Sequence, residues 1–285
     1  MFKWVEIGLQ NNKWRFETLS QFLTENQFEN KVDFIQTTDE EFQEKLPTWL
    51  AEYDGIRIGR GLGEIVVAQF INHPVMVDKI KAADALVRID KKWWPRANAV
   101  EGFSRVLAKV GEWFDLESRV LVIGAGAAAR VAVTALFRVG FRHFVISNLD
   151  DSRAQFFVGE MKRNMLGAKF ELVSKDGLIL LQGAHGVMVN TTPLGADNPM
   201  LEELYYFNFF KKNGVAIDFS ISPVETPLLV GARDIGAHCV FGYQISAHTD
   251  LIWAEQITGR SFKNAEHYEK KLGEILRAED LKIKT

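Results

Sequence analysis

Residues 120–130 read VLVIGAGAAAR, a β-branched run followed by Gly124-Ala125-Gly126-Ala127-Ala128-Ala129 and an arginine. A backbone this small at a strand-to-helix turn lets a phosphate come close. Gly124 permits the tight turn, Gly126 opens the backbone to a pyrophosphate, and Ala129 stands where a helix must pack closely on the strand. The freed amides opening the helix, at Ala127 and Ala128, favour an anion. The chemistry offered is dinucleotide binding; the alternative is a small-residue turn with no ligand. The following strand-like run ends SNLDDSRA, where such folds meet the adenosine ribose. Carboxylates there accept hydrogen bonds from free ribose hydroxyls, whereas a 2′-phosphate calls for arginine. Asp150 and Asp151 therefore favour NAD, Arg153 keeps NADP open, and one of the two aspartates is expected to cap the next helix.

Cations that could meet a substrate lie earlier in the chain: Arg57 and Arg60 in GIRIGRGLGE, with Lys13 and Arg15 near the N-terminus. Arginine gives up a proton poorly but clamps carboxylates well. Arg57 and Arg60 are thus expected to bind a substrate anion, the alternative for each being a solvated surface charge. His73, in INHPVM, is expected to be structural. No two histidines have metal-ligand spacing, so no metal is expected.

The elements that must position these groups alternate. RVLVIG, RHFVISN, AKFELVS, GVMVNTT, GVAIDFS and HCVFG are strand-like, with helix-length segments such as ARVAVTALFRVG and DSRAQFFVGEMKRNM between them. Parallel strands joined by helical crossovers make a doubly wound Rossmann-type sheet. The first hundred residues alternate less regularly: KWVEIGL, KVDFIQT and GIRIG read as strands, RFETLSQFLTEN and DEEFQEKLPTWLAEY as helices. WWPRAN at 93–98 breaks the pattern, since proline ends the preceding element. The expected organisation is an α/β substrate domain over 1–101, joined by returning helices in 245–285, and a dinucleotide-binding domain over 102–244.

The 285 residues suit two domains, and 47% apolar with 25% charged residues is ordinary globular composition. A net charge of −3 gives no electrostatic reason to expect nucleic acid or an anionic membrane as a partner. No apolar run approaches the ~18 residues of a membrane span, and the N-terminus reads without a signal peptide. Cys239 is the single cysteine, which suits a reducing cytoplasm. The expected partner is a small anionic substrate, and the expected state a monomer or homodimer.

Three further stretches, NTTPLGA at 190–196, IDFSISPVETPLL at 217–229 and GYQISAHTDLIWAEQITG at 242–259, resemble with the glycine loop the C-terminal domain of shikimate dehydrogenases. Members of that family reduce 3-dehydroshikimate with NADPH, or act on quinate with NAD. The resemblance implies that Asn190, Thr191, Thr192, Pro193 and Leu194 line the nicotinamide side. It also implies that Asp218 and the loop after it follow the next strand, and that Gly242 sits against the nicotinamide. Asn148 and Arg153 match the family's asparagine and second arginine, while Leu149 replaces the arginine that binds a 2′-phosphate.

The N-terminal half departs from the family's pattern. Gly63 falls at the family's catalytic lysine, and Glu101, in Ala99-Val100-Glu101-Gly102, at the aspartate that partners it. IGLQNNKWRF has no counterpart of the serines that bind the substrate carboxylate, Ile221 replaces a tyrosine, and Ala247, with His248 beside it, replaces a glutamine. The resemblance thus implies an NAD(P)-dependent dehydrogenase whose substrate is a small anionic hydroxy or keto acid, with Glu101 and His248 as catalytic candidates. Two alternatives remain: a non-catalytic nucleotide-binding or regulatory protein of the same fold, and a shikimate dehydrogenase whose lysine, displaced, is Lys79.

Overall fold

The computed structural model describes residues 1–193 and 207–283. They form two compact units, one of Met1–Gly102 with Ala247–Ile275, the other of Phe103–Ser246 with Leu276–Thr285.

The first unit carries a five-stranded sheet, β1 (Phe2–Gly8), β2 (Asn30–Gln36), β3 (Gly55–Ile58), β4 (Ala85–Ile89) and β5 (Lys92–Arg96), in the order β2-β1-β3-β4-β5. The first three strands are parallel, and β4 and β5 run antiparallel to their neighbours. Successive side chains of a strand point to opposite faces. Val5, Ile7, Ile56 and Ile58 accordingly pack with Phe42, Leu46 and Trp49 of α2 (Asp39–Glu52). Thr38 caps that helix, accepting from the Glu41 amide, and Asp39, Glu40 and Glu41 meet the positive end of its dipole. On the other face Trp4 meets Phe16 of α1 (Lys13–Glu25) and Trp253 of a later helix.

WWPRAN does not break the architecture as its proline suggests. Pro95 lies inside β5, opposite Leu86, and β5 is an edge strand, where a missing amide donor costs no ladder hydrogen bond. The β4–β5 turn escapes sequence reading because Asp90 and Lys91 take φ of 50° and 63° where glycine or asparagine usually signals such a hairpin. A short helix, α3 (Val75–Ile80), precedes β4, and α4 (Asn98–Lys109) follows β5.

The second unit holds six parallel strands: β6 (Arg119–Ile123), β7 (His143–Ser147), β8 (Lys169–Leu172), β9 (His185–Asn190), β10 (Phe210–Asp218) and β11 (His238–Val240). Their order, β11-β10-β9-β6-β7-β8, puts the reversal of winding between β6 and β9. In open α/β sheets ligands bind outside the carboxyl ends of the strands at that reversal. The crossovers include α5 (Ala127–Val139), α6 (Asp151–Asn164) and α7 (Pro227–Asp234). The central strands carry apolar runs, Val120 to Ile123 and Val187 to Val189 being fully buried, as a sheet covered on both faces requires.

Two long helices close the chain, α8 (Gly242–Thr258) and α9 (Ala265–Ile283). The expectation that 245–285 returns whole to the first domain needs correction at its end: residues from Leu276 onward group with the second unit. There Asp280 accepts from Ser222 Oγ (2.6 Å) and the Val224 amide (2.5 Å). The division after Gly102 falls inside α4, not in a linker.

Candidate functional site

In the second unit the glycine loop leaves β6 beside the end of β9. Gly124 takes φ +110°, and a Cβ there would run into Thr191 Oγ1, so both backbone and space require glycine. Thr191 donates through its amide (2.9 Å) and Oγ1 (2.7 Å) to the Ile123 carbonyl, tying the two strand ends together. Gly126 is the N-cap of α5 with extended backbone and no side-chain cap, so the amides of the Ala127 turn receive nothing from a capping side chain.

Arg153 reaches back from α6 over this loop. Its Nε donates to the Ala125 carbonyl at 3.5 Å, and its Nη2 lies 3.4 Å from where a Gly126 Cβ would stand. Asp150 caps α6, accepting from the Arg153 amide at 3.1 Å; Leu149, Asp150 and Asp151 are exposed. Asn148 Nδ2 donates to the Asp150 carbonyl at 3.0 Å, which fixes the turn.

Asn190, expected to line the nicotinamide side, is fully buried and spent within the fold. Its amide donates to both Asp218 oxygens at 3.2 Å, and its carbonyl accepts from Thr192 N (3.0 Å) and Oγ1 (2.6 Å). Asp218 also accepts from the Ser220 amide (2.8 Å) and Thr226 Oγ1 (3.1 Å). Burial raises the Asp218 carboxyl against these hydrogen bonds. The pair is the frame on which 191–193 and 219–226 hang. Thr191 and Thr192 are partly exposed and Pro193 exposed; Leu194 lies outside the described residues. Gly242 opens α8 against Ser220, whose carbonyl leaves no space for a Cβ.

In the first unit the expected substrate cations separate. Arg60 is exposed, with Nη1 donating to Gln10 Oε1 at 3.2 Å. Arg57 is 2% exposed and no surface charge. Its Nη2 donates to Asp250 Oδ1 at 3.3 Å, while its Nε and Nη1 have no partner. Arg15 forks onto the same carboxylate, Nε at 3.1 and 2.9 Å and Nη2 at 2.6 Å, and Tyr268 Oη donates at 3.0 Å. Burial lowers the Arg57 pKa from its ordinary value, against the attraction of Asp250.

Glu6 pairs in register with Arg57 across β1 and β3 and is 2% exposed. Its carboxylate accepts from the Asn12 amide at 3.0 and 3.3 Å. Burial pushes it up to about 7, against the pull of that amide and of the Arg15 and Arg57 charges. Sequence reading passed over Glu6, Asp250 and Tyr268. The available signal was an acid inside an otherwise apolar strand (KWVEIGL) and an apolar helix (HTDLIWA).

Glu101 is exposed in the first turn of α4. His248 is buried, and its Nε2 meets Glu269 Oε2 of α9 at 3.1 Å. His73 Nε2 meets the Val67 carbonyl at 2.9 Å. Lys13 and Lys79 are exposed. Gly63, at the place the resemblance gives to a lysine, is buried, and its carbonyl accepts from the Ala83 amide at 2.8 Å.

A doubly wound unit with a small-residue loop at its winding reversal, carried in one chain with a mixed α/β unit, defines a class of two-domain Rossmann-type proteins. No family model matches the chain. It is 32% identical over 146 residues to the shikimate dehydrogenase (NADP(+)) of Geobacter metallireducens, covering 50% of each chain. It is 28% identical over 179 residues to that of Maridesulfovibrio salexigens, covering 59% of this chain and 60% of the relative. The matched region thus spans about half to three fifths of these relatives.

Among solved structures, shikimate 5-dehydrogenase from Listeria monocytogenes, in complex with shikimate and NAD, superposes with a TM-score of 0.80 at 16% identity, over 95% of this chain and 96% of that one. A 5-ketofructose reductase from a Gluconobacter species gives 0.76 at 17%, over 96% and 98%. The fold is that of these proteins, and over about half of its length the chain is similar in sequence to shikimate dehydrogenases. No described helix is long and apolar enough to cross a membrane.

Proposed function

We propose that this protein is an NAD(P)-dependent oxidoreductase that interconverts the alcohol and carbonyl forms of a small polar, anionic hydroxy or keto compound. The observation that carries the reading is the loop from Gly124 to Ala128 at the winding reversal, with uncapped α5 amides, tied through Thr191 to the end of β9. The fit to a dinucleotide is chemical: amides and the Arg153 guanidinium suit a pyrophosphate. When bound, the nicotinamide supplies or accepts a hydride.

In this reading Gly124, Gly126, Ala127, Ala128, Asn148, Arg153, Thr191, Thr192, Leu194 and Gly242 form the dinucleotide's surroundings, with Asn190 holding the threonines in place. The exposed carboxylates Asp150 and Asp151, with Leu149 where the family carries an arginine, favour NAD over NADP. In the first unit the exposed Arg60 supplies positive charge for the substrate, and Glu101 a carboxylate for a hydroxyl, whereas Arg57, buried on Asp250, is not available to it. His248, held by Glu269, supports the packing of α8 on α9.

Two measurements test the reading. Calorimetry should detect NAD or NADP binding, and the nicotinamide absorbance should change with shikimate, quinate or 5-ketofructose as second reactant. Failure to bind either dinucleotide overturns it. Binding without turnover favours the non-catalytic reading, which the buried backbone position of Gly63 supports by supplying no amine.

A further inference from the structure

A dinucleotide on a doubly wound sheet lies across the winding reversal, with its adenosine half at the end of the second strand. In the second unit that strand is β7, with Asp150 and Asp151 after it. On the oxidoreductase reading above, the nicotinamide half then belongs to the carboxyl ends of β9, β10 and β11. Two segments stand there, the loop 219–226 after β10 and Phe241–Tyr243 at the start of α8. They meet at Gly242, where the Ser220 carbonyl leaves no space for a Cβ.

Asp218 holds the loop at its base, through the Ser220 amide and Thr226 Oγ1. The middle is held from the end of α9: Asp280 accepts from Ser222 Oγ at 2.6 Å and from the Val224 amide at 2.5 Å. A carboxylate in the last turn of a helix opposes its dipole, and these two donors offset that cost. One turn earlier, Arg277 Nη2 donates to Tyr243 Oη at 3.4 Å. Its guanidinium stands 5.2 Å from the Tyr243 ring centre and 6.0 Å from that of Phe241, two rings that stack at 5.8 Å. Positions three apart share a helix face, so one face of α9 grips both segments that meet at Gly242. All of these residues belong to the second unit.

We propose that the end of α9 is a clasp on the nicotinamide side of the dinucleotide site, with Asp280 and Arg277 as positioning residues. Asp280 sets the loop after β10, and Arg277 sets the start of α8. The proposal rests on the dinucleotide binding that the oxidoreductase reading requires. A wall released from the clasp holds its binding shape only part of the time, and apparent affinity falls by that fraction. The glycine loop takes its shape from Gly124 and from the Thr191 tie to Ile123 instead, so pyrophosphate and adenosine binding do not depend on the clasp.

The test is calorimetric titration of wild type, Asp280→Ala, Asp280→Asn and Arg277→Ala with two ligands. One is NADH or NADPH, whichever wild type binds more tightly; the other is the matching ADP-ribose or 2′-phospho-ADP-ribose, which lacks the nicotinamide. In Asp280→Ala and Arg277→Ala the dinucleotide binds roughly tenfold more weakly, as a wall correctly shaped one-tenth of the time gives, while the ADP-ribose ligand stays within about twofold of wild type. Asp280→Asn, which keeps one acceptor oxygen, loses less and serves in place of the alanine variant if that one does not fold. The fluorescence of the bound reduced nicotinamide moves in the variants toward that of the free dinucleotide.

Either variant holding the dinucleotide as tightly as wild type overturns the clasp and leaves dinucleotide binding standing. So does equal weakening of the two ligands, the mark of a merely structural role, and so does a wild-type protein that binds the dinucleotide no more tightly than the ADP-ribose ligand. A wild-type protein that binds neither ligand overturns the dinucleotide reading and the clasp with it.

Discussion

Replacing Asp250 by asparagine isolates the charge at the centre of the first unit. The carboxylate is fully buried and receives Arg15 Nε and Nη2, Arg57 Nη2 and Tyr268 Oη. Asparagine keeps the shape and one acceptor oxygen but removes the carboxylate charge that two guanidinium groups share. Removing one partner of a buried pair costs about 3–5 kcal/mol. Arg57 is 2% exposed and cannot hydrate in place, whereas the Arg15 side chain, 13% exposed, recovers some solvation. A loss of about 4 kcal/mol follows, or roughly 8–16 °C in Tm at 2–4 °C per kcal/mol.

Calorimetry is the suitable assay, because the two units need not unfold together. Adding Arg57→Met to Asp250→Asn removes one unpaired cation and restores part of the loss, a coupling that independent sites would not give. A single variant within about 1 kcal/mol of wild type, the range of an ordinary substitution, would refute the buried ion cluster.

Other outcomes follow from the same geometry. Gly126→Asp places a carboxylate on the α5 N-cap where an anion is expected, and calorimetry should find dinucleotide binding abolished. Wild type should bind NAD more tightly than NADP, and Asp150→Ala should narrow the difference; tighter NADP binding by wild type shows that these carboxylates do not face the ribose. Asp218→Ala strands the Asn190 amide, the Ser220 amide and Thr226 Oγ1, and denaturant unfolding should show a loss of roughly 2–4 kcal/mol. Glu6 also gives stability a pH dependence. Its carboxyl stands at about 7 in the fold against 4.5 ordinarily, so between those values the folded chain binds more protons than the unfolded one, and its contribution falls as pH rises. The window is worth about 3 kcal/mol, and Glu6→Gln should be the more stable protein above pH 7, with a flatter profile below it.

What the sequence made legible follows from how local each feature is. VLVIGAGAAAR declares itself because turn, phosphate approach and helix start depend on neighbouring residues alone, and the structure realises the turn and the helix start with Gly124 at positive φ and Gly126 at the cap. The central strands β6, β7 and β9 read out for the same reason: a strand buried on both faces is a short apolar run whatever its partners. The β4–β5 hairpin was lost because Asp90 and Lys91 do the work usually given to glycine, and because an edge position excuses Pro95 from the ladder.

The ion cluster was lost for a deeper reason. Arg15 and Asp250 stand 235 positions apart, and only the fold brings them together. Arg57 reads as a clamp for a substrate anion, or else a surface charge, until β1 and β4 close on either side of its strand and Asp250 arrives from α8. Glu6 reads as an ordinary polar residue until β3 sets Arg57 opposite it and Gly59 makes room for its carboxyl. Cofactor chemistry, written in backbone shape, is therefore visible in one stretch of chain. An ion cluster, written in side chains converging from β1, β3, α1 and α8, is not. A proton donor sought by the spacing of one motif ends at Gly63, a buried position whose carbonyl is spent on the Ala83 amide.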